Sequence, residues 1–198
     1  MAAINTALKW TASGIRVAIA KMRLRSRLRL PRGGKPVYLG RGVRLIAGSG
    51  GCIKLGTGAY IDDQSRLQVG ESGLLSIGDY DYLNTNCRLT AIESITVGNY
   101  TMFGPNCCIF DHDHVFNAAG VSAELVSSPV SIGEKCWLCA NVVITRGVKV
   151  ADRCIVAAGA VATHDCVEGA ALYAGMPAKL VKRFFSFNGS ENRIKASE

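Results

Sequence analysis

The chain has little of what would make it membrane-spanning, disulfide-built or nucleic-acid-binding. No run of about 18 apolar residues occurs in its 198 positions, so no segment reads as a transmembrane helix. Aromatic residues make up only 7%, and the basic N-terminal stretch holds a single Trp, which leaves no aromatic array for stacking bases. Histidine is confined to His112, His114 and His164. No paired C-x-x-C array exists, since Cys136-Trp-Leu-Cys139 stands alone, and with it goes the usual spacing of a zinc site or a disulfide framework. Residues 1–44 contain no Asp or Glu at all, yet they carry Lys9, Arg16, Lys21, Arg23, Arg25, Arg27, Arg29, Arg32, Lys35, Arg41 and Arg44. The net charge of +8 therefore sits in one arm, and the remainder is slightly acidic.

What the chain does have is a recurrence of six. An aliphatic residue, usually a Gly, and another aliphatic six positions on appear as Leu39-Gly40 to Leu45, Leu55-Gly56 to Ile61, Ile77-Gly78 to Leu83 and Val97-Gly98 to Phe103. From Ile132 the same step runs unbroken through Leu138, Ile144, Val150, Val156 and Ala162. Helices repeat every 3.6 residues and strands every two, so this is neither. A hexapeptide repeat predicts a parallel β-helix, each short strand followed by a sharp turn. Three such steps separate Ile132 from Val150, which implies a triangular prism. Blocks starting at 39, 55, 77 and 97 are spaced less evenly, which predicts small turn insertions between the early coils.

The eight cysteines fit this frame as core residues. Cys87, Cys107, Cys136 and Cys154 each lie two positions before an inward aliphatic, and Cys166 keeps the phase. Val142, Val148 and Ala160 fill the same slot, so Cys serves there as a compact hydrophobe. Free thiols imply a reducing, cytoplasmic setting.

Three segments depart from the solenoid. Residues 1–36 form a basic arm whose Leu8, Ala12, Ile15, Ile19 and Met22 recur at helical spacing, predicting a helix over 4–22 and an alternating, strand-like 23–30. Such a helix suits capping of the open edge of the first coil, or, through residues 1–30, peripheral contact with the anionic inner face of a membrane. Residues 111–129 break the recurrence and predict a loop thrown out from the solenoid domain of 37–177. Residues 178–198 predict a short helix over 178–185 and a polar tail.

Chemistry is concentrated in Asp111-His112-Asp113-His114, where the solenoid gives way to the loop. Carboxylates interleaved with imidazoles suit a general base, because a carboxylate fixes the tautomer and stabilises the imidazolium. A metal reading lacks a third nearby histidine. Asn84 and Asn86, one block earlier, either face a ligand or form a turn ladder. Lys179, Lys182 and Arg183 follow Gly175-Met-Pro-Ala-Lys179 and form a cationic cluster.

Trp137-Leu-Cys-Ala-Asn-Val-Val-Ile-Thr-Arg-Gly-Val, then Ala157-Ala-Gly-Ala-Val-Ala-Thr163, then Ala174-Gly-Met-Pro-Ala-Lys179 resemble the C-terminal half of the hexapeptide-repeat acyltransferases. That family includes the maltose, galactoside and xenobiotic O-acetyltransferases and those of surface-polysaccharide clusters. The resemblance covers about residues 37–183 and implies a left-handed parallel β-helix, a homotrimer, and acetyl-CoA in the groove between two subunits. Carried over by motif, it implies His114 as catalytic base, with His112 the second choice and Asp113 or Asp111 orienting it. It implies Asn84 on the acceptor side, and Ala140, Ala158, Gly159, Thr163, Lys179 and Lys182 around the CoA. Ala140 stands where some members have Ser, and His164 where Lys is common. The activity implied is O-acetylation of a sugar or surface-glycan hydroxyl by direct transfer. Amino-sugar N-acetylation is the rival, and a non-catalytic β-helix scaffold is the alternative of another class. Neither a resident metal nor a nucleic-acid partner is expected.

Overall fold

The computed structural model describes residues 2–184, with side chains from Thr6 onward. One helix, α1 (Ala2–Leu24), precedes a parallel β-helix of three flat sheets. The first sheet stacks Leu28–Arg29, Cys52–Leu55, Leu74–Ile77, Ser94–Val97, Val130–Ile132 and Lys149–Val150. The second stacks Tyr38–Leu39, Tyr60–Ile61, Tyr82–Leu83, Met102–Phe103, Trp137–Leu138, Ile155–Val156 and Ala171–Ala174. The third stacks Arg44–Ala47, Arg66–Val69, Arg88–Ala91, Cys108–Phe110, Val143–Ile144 and Val161–Ala162. The chain visits the three in turn, so the six-residue recurrence is one face of a prism.

The inward residues form continuous columns. Leu45, Leu67, Leu89, Ile109, Ile144 and Ala162 are register partners down the third sheet, and all are buried. Each fully buried Leu or Ile contributes about 1.5–3 kcal/mol over its exposed form. The glycines of the repeat are explained by close approach. A Cβ on Gly78 would lie 2.8 Å from the backbone of Asn99, and one on Gly98 would lie 2.7 Å from that of Glu134. At these two positions the coils stack too closely for a side chain to fit.

The uneven spacing of the early blocks has two causes: a change of sheet at the first step, and the expected insertions, which all fall at one corner. Leu39 belongs to the second sheet, whereas Leu55, Ile77 and Val97 belong to the first. In the early coils the first- and third-sheet strands are four residues long and bury alternate residues, as at Ile53 and Leu55 or Leu67 and Val69. Stacked residues there are 22 apart, as in the bond from Cys87 N to Ser65 Oγ. After Ile132 the strands shrink to two residues, and the step falls to 18, as between Glu134 and Asp152. The extra residues fall at the corner between the third and first sheets, where eight positions separate Leu67 from Leu75 but four separate their stacked counterparts Ile144 and Val148.

The cysteine slot behaves as expected: Cys87, Cys107, Cys136, Cys154 and Cys166 are buried free thiols. Burial pushes the Cys154 thiol up to about 12 and the Cys166 thiol up to about 11.

Three elements differ from expectation. The apolar stripe of α1 does not face the solenoid, because Leu8, Ile15, Ile19 and Met22 are 51–72% exposed. The helix docks through buried Ser13 and Leu24, with Val17 and Ala20 packed on the core. Basic side chains of the helix and of the turn that follows it reach inward to the open strand edge. Arg16 Nε donates to Leu39 O (2.7 Å), Arg23 Nη2 to Leu45 O (2.9 Å) and Arg27 Nη1 to Ala47 O (2.9 Å). The first coil's unpaired carbonyls outcompete solvent for these donors. The solenoid also starts earlier than 37, since Leu28–Arg29 pairs with Cys52–Leu55. Residues 112–127 are an antiparallel hairpin, His112–Asn117 against Gly120–Ser127, rather than an irregular loop. Finally, Lys179–Arg183 is a strand antiparallel to Ala171–Ala174, where a helix was expected. It covers the open edge of the last coil, and that pairing overrides local helix propensity. The rest of the expected C-terminal segment lies outside the described residues.

Candidate active site

The strand Cys108–Phe110 ends at a corner where period-two alternation continues for two residues. Ile109 and Asp111 point inward and are buried, while Phe110 and His112 lie on the outer side. A carboxylate in a hydrophobic column needs partners, and Asp111 has four contacts. Its oxygens accept from Ile92 N (2.8 and 3.0 Å) and Glu93 N (2.8 Å), and Oδ1 lies 2.9 Å from His112 Nδ1. His112 Nδ1 therefore donates, and Nε2 carries the lone pair. The His112 side chain is 18% exposed and that of Asp111 fully buried. The Phe110 ring meets the imidazole edge-on at 6.2 Å.

His114 and Asp113 lie further along the hairpin. Nδ1 of His114 lies 3.1 Å from Ser122 O, so its only recorded orienting partner is a neutral carbonyl. Asp113 accepts from Arg146 Nε at 2.8 Å and does not touch either histidine. Of the two carboxylates in the motif, the structure pairs Asp111, not Asp113, with an imidazole. Arg146 and Ser122 carried no signal in the sequence, because both partners depend on how the hairpin folds back.

Asn84 lies at the other end of the third sheet, at the corner preceding Arg88–Ala91. Its Oδ1 accepts from Thr85 N (2.7 Å), a turn contact. Asn86 begins the turn ladder foreseen as an alternative: its Nδ2 donates to Asn106 Oδ1 (2.9 Å), and Asn106 Nδ2 to Asn141 Oδ1 (3.1 Å). Ala140, Ala158 and Gly159 stack at this same corner in later coils, with Gly159 N donating to Ala140 O at 2.9 Å. A Cβ on Gly159 would meet open space, so the backbone there is accessible. Thr163 sits past the far end of the third sheet beside His164 (2.9 Å), and Lys179 and Lys182 project from the terminal strand. One copy of the chain thus divides the site residues between two corners a face apart. A cavity of about 610 Å³ lies elsewhere, between α1 and the first coils, lined by Lys9, Arg16, Tyr38, Tyr60 and Asp62 among others. It holds none of these residues.

A three-sided hexapeptide solenoid with a histidine–aspartate pair at one corner defines the class. The chain is similar to the hexapeptide-repeat acyltransferases: residues 129–164 match the family described as bacterial transferase hexapeptide (six repeats). It is 28% identical over 100 residues to the galactoside O-acetyltransferase of Escherichia coli, covering 49% of each chain. It is 40% identical over 79 residues to a 2,3,4,5-tetrahydropyridine-2,6-dicarboxylate N-acetyltransferase of Staphylococcus aureus, covering 40% of this chain and 33% of that one. The matched segment spans about half the length of the first curated relatives. In fold, it superposes with a TM-score of 0.69 on AntD, an N-acyltransferase from Bacillus cereus crystallised with dTDP and coenzyme A. That match covers 84% of this chain and 88% of that one at 15% identity.

Proposed function

We propose that the protein is an acetyl-CoA-dependent O-acetyltransferase acting on a sugar or surface-glycan hydroxyl, with His112 as general base. The observation that carries this is the His112–Asp111 pair at the corner of a hexapeptide solenoid. Nε2 takes the proton of the acceptor hydroxyl as its oxygen attacks the thioester carbonyl. The tetrahedral intermediate collapses to the ester, and the C–S electron pair leaves with the CoA thiolate. The imidazolium, stabilised by buried Asp111, then returns the proton to sulfur. No acyl-enzyme forms, so the buried thiols have no covalent part. His114, the first choice from the motif, is the alternative base. An amine acceptor is the rival to a hydroxyl, favoured by the N-acetyltransferase relatives.

The acyl donor belongs at the corner of Ala140, Ala158 and Gly159, whose small residues leave backbone exposed to a pantetheine chain. His112 lies at the opposite corner, so a second copy is required to bring base and donor together. This supports a homotrimer with the donor between subunits. Outward-facing Met102 and Trp137 on the second sheet, 49% and 47% exposed, supply apolar surface for such contact. No helix among the described residues is long and apolar enough to cross a membrane. The exposed stripe of α1 supports peripheral contact with an anionic membrane surface.

The test is release of CoA thiol from acetyl-CoA over a panel of sugars, amino sugars and glycans. His112→Ala is expected to lower turnover by about 10²–10⁴-fold with CoA affinity unchanged, and His114→Ala by far less. The reverse ranking transfers the base role to His114. Full activity in both variants removes the mechanism.

A further inference from the structure

The outer side of the third sheet carries three arginines one above another. Arg44, Arg66 and Arg88 are register partners in successive coils, and neighbouring strands lie about 4.8 Å apart. The column then changes character, continuing as Cys108, Val143 and Val161. Like charges stacked this closely repel, yet among the described residues no carboxylate pairs with any of the three. Elsewhere the chain does pair its arginines: Arg41 with Asp63, Arg146 with Asp113 and Arg183 with Glu168. Within the column, Arg66 alone has a recorded hydrogen bond, directing Nε and Nη2 to the neutral Gln68 Oε1. With Gly42, Gln64 and Asn86 at the adjoining corner, the three arginines line a cavity of about 260 Å³. Stacked guanidinium forks with no internal counter-charge match the oxygens of a diphosphate.

The column's position relative to His112 points the same way. Residues two apart on a strand share a face, so Cys108, Phe110 and His112 continue the surface that bears Arg88. Strand rise and spacing put Arg88 and His112 at most about 14 Å apart at Cα, since the chain turns at Asp111, within reach of a diphosphate and one sugar ring bridging their side chains. Along the prism axis the order is arginine column, then His112, then the Ala140 and Ala158 corner assigned to the acyl donor. Along the axis the column therefore lies beyond His112 from the donor residues.

We propose that Arg44, Arg66 and Arg88 bind the diphosphate of the acceptor, so that the substrate is a sugar carried on a diphosphate rather than a free sugar. This rests on the acetyltransferase reading above and names its substrate class. The carrier is either a nucleoside or a polyprenyl group, which share the diphosphate.

The test is calorimetric titration of the full chain with inorganic pyrophosphate, with UDP, and with a polyprenyl diphosphate in detergent micelles. CoA is titrated into the same preparations. Pyrophosphate and at least one carrier are expected to bind, more weakly as salt rises. The combined Arg66→Gln and Arg88→Gln variant is expected to bind them about tenfold or more weakly, with CoA affinity, oligomeric state and melting temperature retained. UDP binding assigns a nucleotide carrier, and micelle-restricted binding a lipid one. Binding of none of the three probes overturns the proposal, as does unchanged affinity in the variant. A changed oligomeric state assigns the column to a subunit contact and overturns it equally. Loss of CoA binding in the unsubstituted protein instead removes the acetyl-transfer reading and leaves the pyrophosphate result to stand alone.

Discussion

Asp111 and Asp81 are both carboxylates buried in the core of a β-helix, and their surroundings give them different duties. Asp111 faces three backbone N–H contacts and an imidazole, so its charge is used to hold His112. Asp81 stands in a column with Ala59, Thr101, Cys136 and Cys154, and accepts only from Gly78 N (2.7 Å) and Thr101 N (2.8 Å). Burial pushes its carboxyl up to about 7, against the pull of those two donors. An acid whose folded value is raised binds its proton more tightly in the native state than in the unfolded chain. Stability therefore falls as pH rises from about 4 to about 7, by roughly 4 kcal/mol at full shift. Below that window both states are protonated and the penalty vanishes. Urea midpoints are expected to drop between pH 5 and 8 in the natural chain. In Asp81→Ala that slope is expected to flatten, although the variant loses two hydrogen bonds and starts lower. Equal slopes in the two proteins would remove Asp81 as the cause.

At the scale of elements, α1 illustrates how a polar contact can orient a helix against its own apolar stripe. Ser13 is fully buried, and its Oγ accepts from Leu39 N at 2.8 Å, the first free N–H of the second sheet. Trp10 then packs edge-on against Tyr38 at 5.1 Å, and Tyr38 stacks on Tyr60 at 4.0 Å. Ser13→Ala strands a buried donor and is expected to cost about 1–3 kcal/mol in urea unfolding, with turnover retained. A loss below a few tenths would mean that water replaces the hydroxyl. The span of this helix was legible from spacing, but its docking face was not, because periodicity records where apolar residues recur and not what the partner surface offers. The core columns, the buried cysteines and the Gly corner were legible for the opposite reason: each is set by a repeat that every coil must obey. The site falls between these cases. The motif around His112 stood out, but the inward position of Asp111 did not. The choice between two histidines and two carboxylates waited on the hairpin, whose fold sends Asp113 to Arg146. The terminal strand was not legible from the spacing within 178–185, because what sets it is a hairpin back onto Ala171–Ala174 across the turn at 175–178, at the open edge of the last coil.

For the whole molecule, two surfaces await partners, and each implies a measurement. The outward stripe of α1 carries Leu8, Ile15, Ile19 and Met22 beside a strongly basic arm. Ile15→Glu with Ile19→Glu alters only the exposed face and leaves Ser13 and Arg16 in their contacts. The natural chain is expected to co-sediment with anionic vesicles and the variant to stay in solution. Equal pelleting of both would end the membrane reading. The second surface is the divided site. If His112 of one copy serves the Ala140 corner of the next, two separately inactive variants must complement each other. His112→Ala lacks the base, and Ala140→Trp blocks the donor corner. Mixed randomly in equal amounts after denaturation and refolding, three quarters of trimers contain both kinds of subunit. In each such ring one subunit with an intact imidazole precedes one with an intact corner, so one site in three works. About a quarter of wild-type activity is therefore expected from a mixture of two dead proteins. If base and donor instead met within one chain, no pairing of the variants would restore turnover, and the mixture would stay silent at every ratio.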